Sequence, residues 1–80
     1  MAKPRWTNNL ARPIRDNVDD VTLRTRDEAR TYIVQLPERR GSSAQWQTAI
    51  RALLQGADAE TVTRAIEMAL MYEARLDVGR

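Results

Sequence analysis

The sequence predicts an all-α domain: a three-helix bundle over about 26–36, 43–55 and 59–76, led by an irregular basic N-terminal arm. Three observations carry that expectation. Apolar residues recur at helical spacing in three separate runs. Each run opens on a capping residue, and the first two close on proline or glycine. Outside them only "DVTLRT" alternates apolar with polar residues, and one alternating stretch alone has no partner with which to build a sheet.

Residues 1–20 contain Pro4, Asn8, Asn9, Pro13 and Asn17, with Trp6, Leu10, Ile14 and Val18 scattered among them. Pro13 has no amide hydrogen and clashes with a preceding helical turn, so a helix through Leu10 and Ile14 is excluded. The expectation is an arm over residues 1–20, either laid over the bundle or disordered, and a domain over residues 21–80. Val21 and Leu23 form a short extended lead-in to the first helix.

That helix opens on Thr25, and Glu28 three residues later completes a capping box in which each side chain satisfies a free backbone amide. Ala29, Tyr32, Ile33 and Leu36 share one face, and Pro37 disfavours helical geometry in the residue before it. The loop "PERRGSS" follows, with Ser42 or Ser43 as the next cap. Trp46, Ala49, Ile50 and Leu53 then form the inner face of the second helix, which places Ala52 well off that face. Gly56 ends it, being free to take a left-handed conformation. Asp58 caps the third helix, whose inward stripe reads Val62, Ala65, Ile66, Ala69, Leu70, Tyr72 and Leu76.

A chain of 80 residues makes one domain with a small core, and without phenylalanine that core must come largely from aliphatic residues. Association with a partner would add burial. The sequence has no cysteine and no histidine, which removes disulfides, thiol chemistry and the usual ligands of zinc and most transition metals. No cofactor is expected. No apolar run approaches the roughly 18 residues that cross a bilayer, and no signal-peptide segment is evident, so a cytoplasmic protein is expected. The net charge of +2 is unevenly spread: Lys3, Arg5, Arg12 and Arg15 stand in residues 1–15 without an acid, and residues 16–80 are mildly acidic.

The run "ALLQGADAETVTRAI" resembles the helix-turn-helix of bacterial repressors through Ala52, Gly56, Thr61, Val62 and Arg64. The resemblance implies a DNA-reading third helix, with Thr63 and Arg64 at the contact. Two requirements of that motif fail in the residues themselves. The positions before the small alanine and before the turn glycine should be apolar, yet they are Arg51 and Gln55. The residues that would meet phosphate include Asp58 and Glu60, which a polyanion repels. A capped joint between two helices explains the run more simply. A second pattern, "DEARTYIVQLP" followed by "WQTAIRALL", resembles a group of small bacterial proteins of unknown function. It rests on Ala29, Tyr32, Ile33, Leu36, Pro37, Trp46, Gln47 and Ala49, and it implies a fold without an activity.

Candidate sites are few. Met68 and Met71 fall outside the third helix's inward stripe, and adaptable methionines on an outer face form a binding surface. The arm could bind single-stranded nucleic acid, with Lys3, Arg5, Arg12 and Arg15 on phosphates and Trp6 stacked on a base. Arg39 and Arg40 could hold an anion near the second helix. Asp19–Asp20 and Asp27–Glu28 are paired acids with no nucleophile, base or phosphate loop beside them, so an enzyme is not expected. The leading expectation is therefore a non-catalytic interaction module that binds another protein or a second copy of itself through Met68, Met71 and Trp6. The alternative is a nucleic-acid-binding regulator using the arm, Thr63 and Arg64.

Overall fold

The computed structural model describes residues 8–76, and in it the chain is α+β rather than all-α. Among the described residues, strands β1 (Asn9–Asp16) and β2 (Val21–Thr25) form an antiparallel hairpin. Helices α1 (Arg26–Val34), α2 (Glu38–Gly41), α3 (Ala44–Leu54) and α4 (Ala59–Tyr72) follow. The three-helix bundle and the irregular arm are both corrected by this hairpin: the missing partner of "DVTLRT" is the segment placed in the arm. Pro13 does exclude a helix there. It does not exclude a strand, because the pairing of β1 is irregular between Asn9 and Ile14, where an absent N–H breaks no ladder bond. Leu10, Ile14 and Asp16 are buried on the face of β1 that meets the helices.

The hairpin closes through a turn that Asp16 builds. Its Oδ1 accepts the amides of Val18 at 2.9 Å and Asp19 at 3.3 Å, an aspartate turn that replaces part of the backbone pairing. Asp20 takes a left-handed conformation at φ 59°, which aspartate tolerates better than most residues. The other edge of β1 is covered by the C-terminal side of the fold. Ala11 N–H donates to Thr63 Oγ1 of α4 at 2.9 Å, Asn17 N–H donates to the Arg75 carbonyl at 2.9 Å, and Asp16 bridges Leu76.

All three long helices are capped where the sequence predicts. Thr25 accepts Glu28 N–H, Ser43 accepts Trp46 N–H and Asp58 accepts Thr61 N–H. The box at α1 is shifted by one residue, since Glu28 reaches back to the amide of Arg24 at 2.6 Å and not to that of Thr25. The helices end earlier than predicted. α1 stops at Val34, and "ERRG" in the expected loop adds the short turn α2 behind Pro37. α4 stops at Tyr72, so Leu76 is not helical and packs beside β1.

The core lies between the hairpin and the helices: Leu10, Ile14 and Leu23 from the strands meet Ala29, Trp46, Ala49, Val62, Ile66, Ala69 and Leu70. Trp46 is fully buried, while Arg51 and Gln55 are exposed, the reverse of what a helix-turn-helix requires. Ala52 corrects the predicted facing of α3, because it is buried and Leu53 only half-buried. Ala49 and Ala52 thus give α3 a small-residue face within the core. Tyr72, read as inward-facing, is exposed. Buried Arg26 joins the start of α1 to the α3–α4 joint, donating to the Ala57 carbonyl at 2.7 Å.

The two helix ends at Gly56 and Ala74 use the same turn. Gly56 N–H and Ala57 N–H return to the carbonyls of Leu53 and Ala52, and Ala74 N–H and Arg75 N–H return to those of Met71 and Leu70. Both central residues are left-handed, with φ 68° at Gly56 and 60° at Ala74. Alanine carries a Cβ penalty in that conformation that glycine does not. Ala74→Gly is therefore expected to stabilise the fold by about 0.5–1 kcal/mol, and Gly56→Ala to destabilise it by at least as much. Denaturant unfolding of both variants checks this; an Ala74→Gly midpoint at or below that of the parent would contradict it.

Candidate interaction surfaces and the buried polar network

Met68, Met71 and Tyr72 are the large apolar side chains that α4 leaves in solvent, at 63%, 59% and 71% exposure. At about 100° per residue they fall within roughly a 100° arc, opposite the buried stripe Val62, Ile66, Ala69 and Leu70. They form one patch on the last two turns of the helix. The exposed Leu54, Val34 and Val18 lie on other elements. Trp6, the third residue assigned to a partner surface, lies outside the described residues, as do Lys3 and Arg5.

The remaining residues assigned to nucleic acid are engaged within the fold. Arg12 holds two acids of α4, Glu67 at 2.6 Å and Glu60 at 3.1 Å. The hydrogen bond with Glu67, then that with Glu60, raises the Arg12 pKa above its ordinary value. Arg64 donates to the same Glu60 at 3.0 Å, one helical turn away. Arg15 pairs with Asp20 and donates to Thr22 Oγ1 at 3.3 Å. Thr63 is fully buried under β1. Of the basic residues near the N-terminus, Arg12 thus meets the acids of α4 and Arg15 an acid of the hairpin turn.

A polar network that the sequence did not reveal crosses the other end of the molecule. The Asp16 carboxylate is fully buried; it accepts Tyr32 O–H at 2.5 Å and Arg75 Nε–H at 3.4 Å, besides the two turn amides. Tyr32 Oη accepts Arg40 Nη2–H at 3.0 Å, and Arg40 forks onto Glu73 at 2.7 and 3.1 Å. Glu73 also accepts the indole N–H of Trp46 at 3.1 Å. Burial pushes the Asp16 carboxyl up, but the bonds from Tyr32, Val18 and Asp19 and the charge of Arg75 outweigh it and hold the group below its ordinary value. Glu73 is likewise depressed: burial raises it, and Arg40 and Trp46 more than compensate. Burial and the bond to Asp16 push the Tyr32 phenol up to about 12. One signal for this network was available. A buried tyrosine and a buried tryptophan each need a partner for their polar tip, so two inward-facing aromatics call for two polar groups near them.

A trough runs along the open side of the hairpin in two adjoining sections. The first, about 400 Å³, lies between β2 and α1, and the second, about 410 Å³, continues past Tyr32 to α2 and Arg75. Val21, Tyr32 and Gln35 line both. No cluster of carboxylates or other ligating side chains that could hold a metal ion occurs among the described residues, and no helix among them is long and apolar enough to cross a membrane. No family model, curated protein or solved structure matches the chain.

The network sets the pH dependence of stability. Carboxyls whose pKa is depressed by folding contribute stability above their unfolded values near 4, and lose it as pH falls through the folded values. Tyr32, raised by folding, contributes below pH 10 and loses that contribution as pH climbs toward 12. Unfolding free energy is expected to be level between about pH 5 and 9 and to fall on both sides. Tyr32→Phe should cost about 1–2 kcal/mol at pH 7 and flatten the alkaline limb. Urea titrations across pH measure both; an unchanged alkaline limb in Tyr32→Phe would refute the assignment.

Proposed function

We propose that the chain is a non-catalytic protein-interaction module of the cytoplasm, docking another protein or a second copy of itself on the outer face of α4. The observation that carries this is the solvent-facing patch of Met68, Met71 and Tyr72. Exposing three large apolar side chains side by side costs solubility and contributes nothing to folding, and a covering partner recovers that cost. Thioether side chains adapt to irregular surfaces, and the tyrosine adds a polar tip at the rim. The pairing of Arg12 and Arg64 with acids of α4 favours a protein partner over a nucleic acid, since those guanidiniums are already neutralised.

The double substitution Met68→Ser with Met71→Ser removes most of the patch without touching the buried stripe. It is expected to leave stability within about 0.5 kcal/mol of the parent and to weaken partner binding or self-association at least tenfold. Sedimentation velocity over a concentration series reads the homodimer. Capture from native extract, with and without nuclease, compares parent and variant for other partners. A parent that stays monomeric, and that retains the same proteins as the variant, would overturn the proposal; retention that disappears with nuclease would replace it with nucleic-acid binding.

A further inference from the structure

We infer that the trough between β2 and α1 is a second docking site, distinct from the α4 patch, and that its occupant is an extended peptide. This peptide adds antiparallel to β2, with a lysine or arginine followed about three residues later by an acid.

The open edge of β2 comes first. β1 has its outer edge covered by Thr63, Arg75 and Leu76, so among the described residues β2 is the strand left to accept a further one. Arg24 N–H points away from β1, where Glu28 Oε1 takes it at 2.6 Å. Strand alternation turns the N–H and C=O of Thr22, two residues earlier, to that same side. No side chain of α1 takes the Thr22 amide as Glu28 takes that of Arg24. Among the described residues one rung of the edge is thus open, and it faces a cavity of about 400 Å³. An antiparallel strand lets one peptide residue exchange both hydrogen bonds with Thr22.

The walls decide what the strand carries. Val21, Leu23 and the ring of Tyr32 give an apolar floor for one side chain of the peptide. At the Thr25 end stand Asp27 and Glu28; at the Val21 end, in the adjoining section, stand Arg39, Arg40 and Arg75. Arg40 and Arg75 are engaged with Glu73, Asp16 and Asp19, and Asp19 also lines that section. Arg39 is exposed and has no ion pair among the described residues, which leaves it as the cation for an incoming acid. An antiparallel peptide passes the acidic end first, so its basic residue precedes its acidic one. From Glu28 to Gln35 the helix advances about 10 Å, which an extended chain covers in about three residues.

The probe is a fluorescein-labelled peptide with lysine, then valine and threonine, then glutamate. Three controls accompany it: its lysine and glutamate exchanged, its central amide N-methylated, and a protein carrying Asp27→Lys with Arg39→Glu. Anisotropy is expected to show the parent protein preferring the probe over the exchanged peptide by roughly tenfold, and the double variant reversing that preference. N-methylation should cost roughly tenfold, the value of about one good hydrogen bond. Saturating probe should slow hydrogen exchange of the Thr22 amide. Equal binding of both peptides, absence of binding, or a Thr22 amide that exchanges at the same rate with probe bound would overturn the inference. Met68→Ser with Met71→Ser should leave probe binding unchanged, so failure here and failure at the α4 patch are read separately.

Discussion

Asp16 sits where β1 ends, shielded from solvent, and an ionised carboxylate there is tolerable only if every lone pair finds a donor. The donors come from four places: the hairpin turn, α1 through Tyr32, the segment after α4 through Arg75, and, one bond further, Arg40 of α2. Glu73 repeats the arrangement against Arg40 and Trp46. Buried pairs of this kind give little net stability over an apolar replacement, but removing one partner strands the other at a cost of several kcal/mol. Their effect is to fix geometry: the hairpin can seat on the helices in one way only, because any other seating strands a carboxylate.

That seating determines which strand edge is available. With Asp16 pinned to the Arg75 side, β1 runs along α4, and its outer rungs are taken by Thr63 and the chain beyond Ala74. β2 is left outermost. Glu28, already the partner of Thr25 in capping α1, quenches the rung at Arg24, so a single residue does the work of closing a helix and blunting an edge. The same residues that order the fold also wall the trough: Tyr32 is its floor, and Arg40 and Arg75 stand at its far end because half-buried Glu73 and buried Asp16 hold them there.

Local signals in the sequence were read where the physics is local. Thr25, Ser43 and Asp58 cap the helices they precede, and Gly56 ends α3, because each acts on amides within a few residues. β1 was not legible, since its apolar residues Leu10 and Ile14 lie four apart, and Pro13 between them hides the alternation by which a strand is recognised. The end of α4 was missed for a related reason. Ala74 is a good helix former locally, and the chain turns left-handed there where Arg75 and Leu76 pair with the end of β1. The network was the least legible feature, because its members come from Asp16 to Arg75 and no spacing rule links them. Met68 and Met71 were legible as outward residues from the helical period alone, and Tyr72 was not, because the period places it at the boundary of the two faces.

The hairpin also explains why α4 has an uncovered apolar patch. In a three-helix bundle, α4 would lie in the groove between two long neighbours, and its apolar arc would be wide. Here α1 has nine residues and packs on α3, so β1 takes the second side of α4 through Leu10 and Ile14. Of the two strands it is β1 that lies along α4, so the ribbon covers one flank of the helix. The stripe from Val62 to Leu70 is covered on both sides, whereas Met68, Met71 and Tyr72 lie on the opposite face of the helix and are left in solvent. Glu60 in the first turn and Glu67 two turns further on hold Arg12 over another flank of the helix.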